Sequence, residues 1–168
     1  AELVEEIKKA GNVFTYVKGC KNSRALTILV QGGTEHIVDE MERAIQDGMG
    51  DIASSLKSCL VVPGGGAIEI ELARRLRQFA QLQSGREQLA IQEFASALEF
   101  IPSTLAENAG LDPIEILTEL KSKHDAENKN YGLNLFNNKI EDTFLAKIIE
   151  PLKIKSQAIA SSSEVAIM

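Results

Sequence analysis

Three consecutive glycines at the junction of an apolar run and a helical pattern constrain this chain more than any other feature. Residues 60–62 are typical of a short strand, and Pro63 leads from them into Gly64, Gly65 and Gly66. Apolar residues then recur at helical spacing, at Ile68, Leu72, Leu76 and Phe79. Glycine lets a backbone approach a ligand closely, and a helix N-terminus offers unpaired N–H groups to an anion or a sugar. The junction therefore predicts either a ligand-binding turn or a tight connection between strand and helix.

A long helix is predicted before this junction. Thr34 is placed to act as its N-cap, and apolar residues follow at helical spacing, at Ile37, Met41, Ile45, Met49 and Ile52. Gly48 and Gly50 each weaken a helix by about 1 kcal/mol relative to alanine. We therefore expect one amphipathic helix whose second half is the weaker part.

Capping signals predict further helices after the junction. Ser84 and Glu87 form a Ser-x-x-Glu capping box at the start of one helix. Pro102 is expected to end or kink that helix, because proline lacks a backbone N–H. A short helical segment over residues 103–108 is then expected to close at Gly110.

The next helix has the clearest beginning. Asp112 supplies an N-cap, Pro113 a favoured first-turn proline and Glu115 the capping-box acid. These residues predict a helix over residues 114–123. A last helix is expected to start at Pro151.

Strand patterns are short. Residues 2–9 are interpreted as a charged opening, and residues 13–17 have the β-branched and aromatic content of a strand. A turn over residues 18–24 and a second strand over residues 26–30 are expected to follow.

Near the other end, residues 124–130 are interpreted as a polar surface loop. Residues 131–136 are interpreted as a short strand, with Asn137 and Asn138 in the turn after it. Helical patterns outnumber strand patterns along the chain. The predicted fold class is mainly α with minor β (α+β).

Composition excludes several functions. The chain has a net charge of -6 with acidic and basic residues mixed along it, so it offers nucleic acid no basic patch. Cys20 and Cys59 lack metal-ligand spacing and an extracellular disulfide pattern, which favours a reducing compartment, the cytoplasm. His36 and His124 are isolated histidines and are interpreted as surface residues. We expect no metal ligands, no nucleic-acid partner and no membrane partner.

Five segments together carry a signal that none of them carries alone. They are residues 27–36 (TILVQGGTEH), 62–69 (VPGGGAIE), 85–90 (GREQLA), 104–113 (TLAENAGLDP) and 150–155 (EPLKIK). In this order and at these separations they resemble the corresponding segments of group II, thermosome-type chaperonins, in an archaeal form. The resemblance spans essentially the whole chain.

The resemblance implies the carboxy-terminal portion of a chaperonin subunit. Residues 1–24 would be the end of the apical domain, residues 25–60 the intermediate hinge segment, and residues 61–168 the carboxy-terminal half of the equatorial ATP-binding domain. The family's amino-terminal equatorial half, which contains a phosphate loop, is absent from this sequence. The implied cofactors are ATP and Mg²⁺, with the metal held mainly by that other half, and this portion alone is expected to be inactive. The implied partners are other subunits in a double ring and unfolded protein substrates.

The resemblance also assigns nucleotide contacts. Gly64, Gly65 and Gly66 would contact the nucleotide, and Glu150 would accept hydrogen bonds from the ribose hydroxyls. Glu150 is otherwise an acidic residue at the start of a helix, where the helix dipole favours it. The residues expected against the adenine are Asn134, Leu135 and Phe136, which otherwise belong to a plain edge strand.

A catalytic acid is implied on the long helix. Residues 43–47 resemble the hinge segment in which family members carry the carboxylate that orients the hydrolytic water, which makes Asp47 the candidate. Gly48 and Gly50 depart from the family's usual helix-forming residues, so a less stiff hinge helix is expected. Without the resemblance, Asp47 would be read as a solvated acid on a polar face.

Two functions of different classes follow. The first is a part of an ATP-driven folding machine that supplies a wall of the nucleotide site, the hydrolytic acid and a surface for ring assembly. The second is a non-catalytic helical interaction module whose apolar faces serve assembly alone.

Overall fold

A computed structural model describes residues 2–9, 11–22 and 26–168. The chain forms two compact units, Ala1–Gln46 and Asp47–Met168. Helices dominate, and the strands of the described residues form two-stranded antiparallel sheets. The predicted fold class, mainly α with minor β, is confirmed. Within those described ranges, no helix is long and apolar enough to cross a membrane.

The first unit opens with a β-hairpin. Strand β1, Leu3–Lys9, runs antiparallel to β2, Asn12–Lys18. The strand predicted over residues 13–17 is therefore confirmed. Residues 2–9, expected as a charged opening, contain strand β1: Ile7 pairs with Phe14 on the more covered face, where Glu5 is also partly buried, and Glu6, Lys8 and Lys9 are exposed.

The second predicted strand does not form. Residues 26–30 are irregular and mostly exposed, and no strand pairs with them in the described part of the chain. β-Branched residues favour a strand only where a neighbouring strand pairs with them and covers them. The predicted turn over residues 18–24 falls partly on residues 23 and 24, which lie outside the described ranges.

The long helix is confirmed. Helix α1 spans Glu35–Ser58, and the Thr34 hydroxyl accepts a hydrogen bond from the Ile37 N–H at 3.4 Å. The helix continues through Gly48 and Gly50 without a break. A Cβ at either glycine would meet no described atom within 4 Å, so packing does not require glycine at these positions.

Helices form the core of the second unit. Helix α2 spans Ala67–Ala80, α3 Arg86–Asn108, α4 Pro113–Asp125 and α5 Leu152–Ile167. The core is centred on Ala73, Ala95 and Leu98, with Leu72, Leu76 and Ile159 packed against them. Alanine at the contact between α2 and α3 lets the two helix backbones come close.

Helix α2 is covered on more sides than its sequence pattern predicts. The predicted stripe is only partly buried, and its last residue, Phe79, is half exposed. The residues that are fully buried are Ala67, Ile70, Ala73 and Ala80. This difference arises because helices α3 and α4 and strand β4 all pack against α2, so it has more than one buried face.

Two small sheets frame the glycine junction. Strand β3, Val61–Pro63, pairs with β6, Ile149–Pro151, and β4, Tyr131–Asn134, pairs with β5, Lys139–Asp142. The strand predicted before the glycines is confirmed within one residue. The strand predicted over residues 131–136 is two residues too long, because the Asn134 side chain accepts a hydrogen bond from the Phe136 N–H at 2.9 Å and turns the chain.

Helix α3 differs from its prediction at two points. Its N-cap is Gly85, so the predicted capping box of Ser84 and Glu87 is wrong. Pro102 neither ends the helix nor separates residues 103–108 from it, because α3 is one helix with the proline inside. The proline is buried against Gly66, and this packing offsets the backbone hydrogen bond that a proline cannot donate.

The signals at both ends of the α3–α4 connection are confirmed. Gly110 has a φ of 72°, the left-handed conformation expected of a helix stop. The Asp112 carboxylate accepts from the backbone N–H of Ile114 at 2.8 Å and of Glu115 at 3.4 Å. Helix α4 extends to Asp125, and His124 within it is 0% exposed. The interpretation of His124 as a surface residue in a loop is wrong, whereas His36 is exposed as expected.

Candidate functional site

The glycine turn, Gly64–Gly66, packs backbone against backbone on strand β4. The Leu133 N–H donates to the Gly65 carbonyl at 2.8 Å, and a Cβ at Gly65 would collide with the Leu133 carbonyl. On the other strand, a Cβ at Gly132 would lie 2.6 Å from the Gly64 carbonyl oxygen. Gly65 also has a φ of 67°, which L side chains rarely adopt. Close packing alone therefore explains the glycines at positions 65 and 132.

Two further contacts hold the turn from the side of β5 and β6. The Gly64 N–H donates to the Ile148 carbonyl at 2.9 Å. The buried Thr143 hydroxyl lies 3.1 Å from the Gly64 carbonyl oxygen and 3.0 Å from the Asn130 carbonyl oxygen. The turn that opens α2 is thus fixed from several directions and does not depend on a ligand for its shape.

Glu150 lies beside this turn. A Cβ at Gly64 would meet Glu150 Oε1 at 3.0 Å, so that glycine leaves room for the carboxylate. The other oxygen, Oε2, accepts from Lys155 Nζ at 2.8 Å. One oxygen of Glu150 is therefore fixed, and the other faces the glycine turn.

Lys155 joins Glu150 to a second carboxylate. Its Nζ donates to Glu69 Oε1 at 2.7 Å, and Glu69 lies in the first turn of α2. Burial alone would lower the pKa of Lys155, but its hydrogen bonds to Glu150 and Glu69 outweigh burial and raise that pKa above the ordinary value. The cluster Glu69–Lys155–Glu150 thus links α2, β6 and α5 around one ammonium group.

The open side of this cluster adjoins an apolar groove of about 460 Å³. Its walls include Phe94, Leu98, Ile101, Ile154 and Ile159. Glu69 Oε2 is buried and has no hydrogen-bond partner among the described residues. A buried acceptor without a partner is costly, so this oxygen reduces the stability of the fold.

The residues expected against a base lie next to the glycine turn in sequence and space, because Leu133 contacts Gly65. Both ends of the Asn134 side chain are occupied: Oδ1 accepts from the Phe136 N–H, and Nδ2 donates across the hairpin to Glu141 Oε1 of β5 at 2.6 Å. Phe136 is 94% exposed and Leu135 is half exposed. This segment offers a fixed turn with exposed apolar side chains.

Asp47 lies midway along α1 and is exposed. The described contacts of the glycine turn come from Leu133, Thr143, Ile148 and Glu150, and from Pro102. Asp47 is not among them. The structure therefore brings together Gly64–Gly66, the start of the Asn134 turn and Glu150, and it leaves Asp47 apart from this group.

Sequence reasoning missed a second buried charge cluster. Glu71 accepts from Arg74 Nη2 at 3.0 Å and from Arg75 Nε at 2.7 Å. His124 Nδ1 lies 3.3 Å from Glu71 Oε2, and its Nε2 lies 2.8 Å from the Tyr131 carbonyl oxygen. Burial raises the pKa of Glu71, but the hydrogen bonds from Arg74, Arg75 and His124 outweigh it and lower that pKa to about 2.

A local signal for both clusters was present in the sequence. Glu69 and Glu71 alternate with the apolar residues Ile68, Ile70 and Leu72 in the first turns of α2. Acids on a helix that is buried on several faces must find cationic partners. Among the described residues there is no group of three or more His, Cys, Asp or Glu side chains arranged to hold a metal ion. Cys20 and Cys59 are exposed free thiols.

Comparisons with known proteins extend over the whole chain. Residues 1–168 match the TCP-1/cpn60 chaperonin family. A thermosome subunit of Methanopyrus kandleri is 51% identical, and the thermosome subunit beta of Thermoplasma acidophilum is 52% identical; each match covers 100% of this chain and 31% of the relative. A solved open-state monomer of a group II chaperonin from Methanococcoides burtonii is 48% identical with a TM-score of 0.69, covering 98% of this chain and 41% of that one. Spanning 31% of the length of these curated relatives, the chain belongs to the TCP-1/cpn60 chaperonin family and resembles its group II members.

Proposed function

We propose that this chain supplies one wall of the ATP site of a group II chaperonin subunit. The observation that carries the proposal is the state of Glu150. One of its oxygens is fixed by Lys155 and the other faces a glycine turn at the start of a helix. A carboxylate held in this way can accept hydrogen bonds from the hydroxyls of a ribose, next to a turn that a nucleotide can approach closely.

The other parts of the wall have complementary chemistry. Gly66 is the N-cap of α2 and has no side chain with which to cap it. The Ala67 N–H donates to the Gly64 carbonyl at 3.4 Å, and the N–H groups that follow it in the first turn can donate to a nucleotide. Leu135 and Phe136 offer exposed apolar surface to an adenine ring, and Asn134 holds the turn that presents them. Mg²⁺ would be held mainly by a part of the subunit outside this chain, where it would neutralise phosphate charge.

Asp47 is our candidate for the hydrolytic acid. An exposed carboxylate accepts hydrogen bonds from water and can act as a general base. Carrying that carboxylate on a hinge helix would make hydrolysis depend on closure over the nucleotide. In this proposal residues 25–60 act as the hinge segment, residues 1–24 end the apical domain, and residues 61–168 complete the equatorial domain.

Complete subunits would assemble in the cytoplasm into a double ring that encloses and folds unfolded proteins. Closed rings require heterologous contacts, in which different surfaces of neighbouring subunits meet. ATP hydrolysis would then drive the cycle of opening and closing, and this chain would contribute the hinge and part of the ring-forming domain.

The test uses a complete subunit that contains this segment, with Asp47→Ala compared with Asp51→Ala. Asp51 is exposed on the same helix one turn later, so it is a matched control. We expect ATP to protect residues 64–66 from amide hydrogen exchange in both variants. We expect hydrolysis to fall by about 100-fold or more in Asp47→Ala alone, the scale of general-base catalysis.

The two readouts separate two ways of being wrong. Normal hydrolysis by Asp47→Ala would remove Asp47 from the mechanism. No protection of residues 64–66 by ATP in the unmodified subunit would overturn the nucleotide wall itself and leave a non-catalytic assembly module.

A further inference from the structure

In the described part of the chain, Lys155 is the one side chain that contacts both Glu150 and Glu69, the two carboxylates beside the glycine turn. Its ammonium lies 2.8 Å from Glu150 Oε2 and 2.7 Å from Glu69 Oε1. The side chain of Lys155 is 18% exposed, that of Glu69 5% and that of Glu150 36%. Lys155 and Glu69 are therefore mostly buried, and Glu150 is the member of the cluster that is most exposed to solvent.

The ammonium restricts what Glu150 can do. A free glutamate side chain has several rotatable bonds, and fixing them for a ligand costs conformational entropy. Lys155 holds Oε2, which leaves Oε1 facing Gly64. The orientation of the carboxylate is therefore set before any ligand arrives.

Glu69, in turn, holds Lys155 in place. It is buried at the start of α2, and its contact fixes the position of the Lys155 ammonium relative to the helix that the glycine turn opens. Glu150 is thereby tied to α2 as well as to its own strand. A shift of β6 or α5 against α2 would have to break one of the two short ion pairs.

We propose that Lys155 is a positioning residue that orients Glu150 toward the hydroxyls of a bound ribose, with Glu69 as its anchor on α2. The inference rests on the proposed function and deepens it, because it names the residue that makes this wall selective for ribose over deoxyribose. The raised pKa of Lys155 is consistent with an ammonium that stays charged beside its two partners.

The experiment compares the binding of ATP and 2′-deoxy-ATP by complete subunits. The unmodified subunit should favour ATP by about tenfold, the scale of one hydrogen bond to a charged group. Glu150→Ala should lose this preference because the acceptor is gone. Lys155→Met should also lose most of it while Glu150 is still present, and Lys155→Arg, which keeps the charge, should restore part of it. Lys153→Met is the matched control, because Lys153 is exposed on the same helix.

A double variant protects the test from a folding failure. Lys155→Met alone leaves Glu69 buried without its cation, which strongly destabilises a protein. Lys155→Met with Glu69→Met replaces the buried pair by apolar side chains, an exchange that is often neutral. This double variant should fold and should bind ATP and 2′-deoxy-ATP with nearly equal affinity.

The outcomes separate the inference from the proposed function. Full preference for ATP in the double variant, together with its loss in Glu150→Ala, would overturn the role of Lys155 and leave that of Glu150 intact. No preference in the unmodified subunit would overturn the ribose contact and the inference with it. Loss of preference in the double variant and its retention in Lys153→Met support the inference.

Discussion

Glu69 and Glu71 lie two positions apart on the same helix, and their surroundings are opposite. Glu71 is surrounded by donors, since Arg74, Arg75 and His124 all contact its two oxygens. Glu69 has the Lys155 ammonium on one oxygen, and the other has no partner within the described ranges. We call Glu71, which has partners on both oxygens, saturated, and Glu69, which has a partner on one oxygen, half-satisfied.

The difference separates a buried carboxylate with partners on both oxygens from one with a partner on a single oxygen. A saturated cluster has no acceptor left for a ligand, so its contribution is to hold together the helices and strands that it joins. A buried acid with one unpartnered oxygen carries a cost in stability that the rest of the fold must offset. The two clusters lie on different sides of α2, and the half-satisfied one adjoins the glycine turn.

The saturated cluster joins three elements through one residue. His124 belongs to α4, contacts Glu71 of α2 through Nδ1 and contacts the Tyr131 carbonyl of β4 through Nε2. Two residues further along β4, Leu133 carries the hydrogen bond to Gly65. The Glu71 cluster therefore supports the strand against which the glycine turn packs.

Breaking the saturated cluster should have the largest effect. Glu71→Gln removes the negative charge and leaves Arg74 and Arg75 without their carboxylate partner. Loss of one member of a buried ion pair costs about 3 kcal/mol, which corresponds to about 100-fold faster local opening. Amide hydrogen exchange of residues 124–134 in the complete subunit, followed by mass spectrometry, measures this change.

A surface pair supplies the control for that variant. Glu40 and Arg43 form an exposed ion pair three residues apart on α1, and such pairs contribute little. Glu40→Gln should leave the exchange of its own helix almost unchanged. If Glu40→Gln and Glu71→Gln changed the amide exchange of their own elements equally, burial would add nothing to the stability that the Glu71 cluster contributes.

Acid should remove part of the same contribution. The pKa of Glu71 is about 2 in the folded chain against an ordinary value of 4.5, so its ionised form stabilises the fold. This contribution is complete above pH 4.5 and is lost as the pH falls from 4.5 toward 2. The urea midpoint of the unmodified subunit should therefore approach that of Glu71→Gln across this window. A difference that stays constant from pH 4.5 to 2 would contradict the lowered pKa.

Local signals predicted the helices well. Asp112, Pro113 and Gly110 act through residues within one turn of themselves, and the spacing of apolar residues after Thr34 reports a single helix face. Such information is complete within a short window of sequence. The failure at Pro102 arose where distant packing, its contact with Gly66, decided the outcome, whereas at Ser84 the helix begins one residue later than expected, with Gly85 as its N-cap.

The candidate site was only partly visible for the same reason. The glycine turn is a local pattern, but Lys155 and Glu69 are separated by 86 residues and His124 and Glu71 by 53. Spacing cannot pair residues so far apart, so the burial of His124 and the role of Lys155 could not be predicted. Family resemblance singled out Glu150, and the fold shows that Lys155 contacts its Oε2.

The smallest effect is expected for Glu69→Gln, and it is the sharpest test of the comparison. Lys155 keeps Glu150 as its ionic partner, the glutamine carbonyl can still accept from Lys155, and the amide group replaces an oxygen that has no partner in the described structure. Little is therefore lost, and exchange at the start of α2 should rise by less than about tenfold, against about 100-fold for Glu71→Gln. Hydrogen exchange of residues 67–73 measures it in the same complete subunit. An effect as large as that of Glu71→Gln would mean that Glu69 contributes as much to stability as Glu71, and it would contradict the distinction between the two acids.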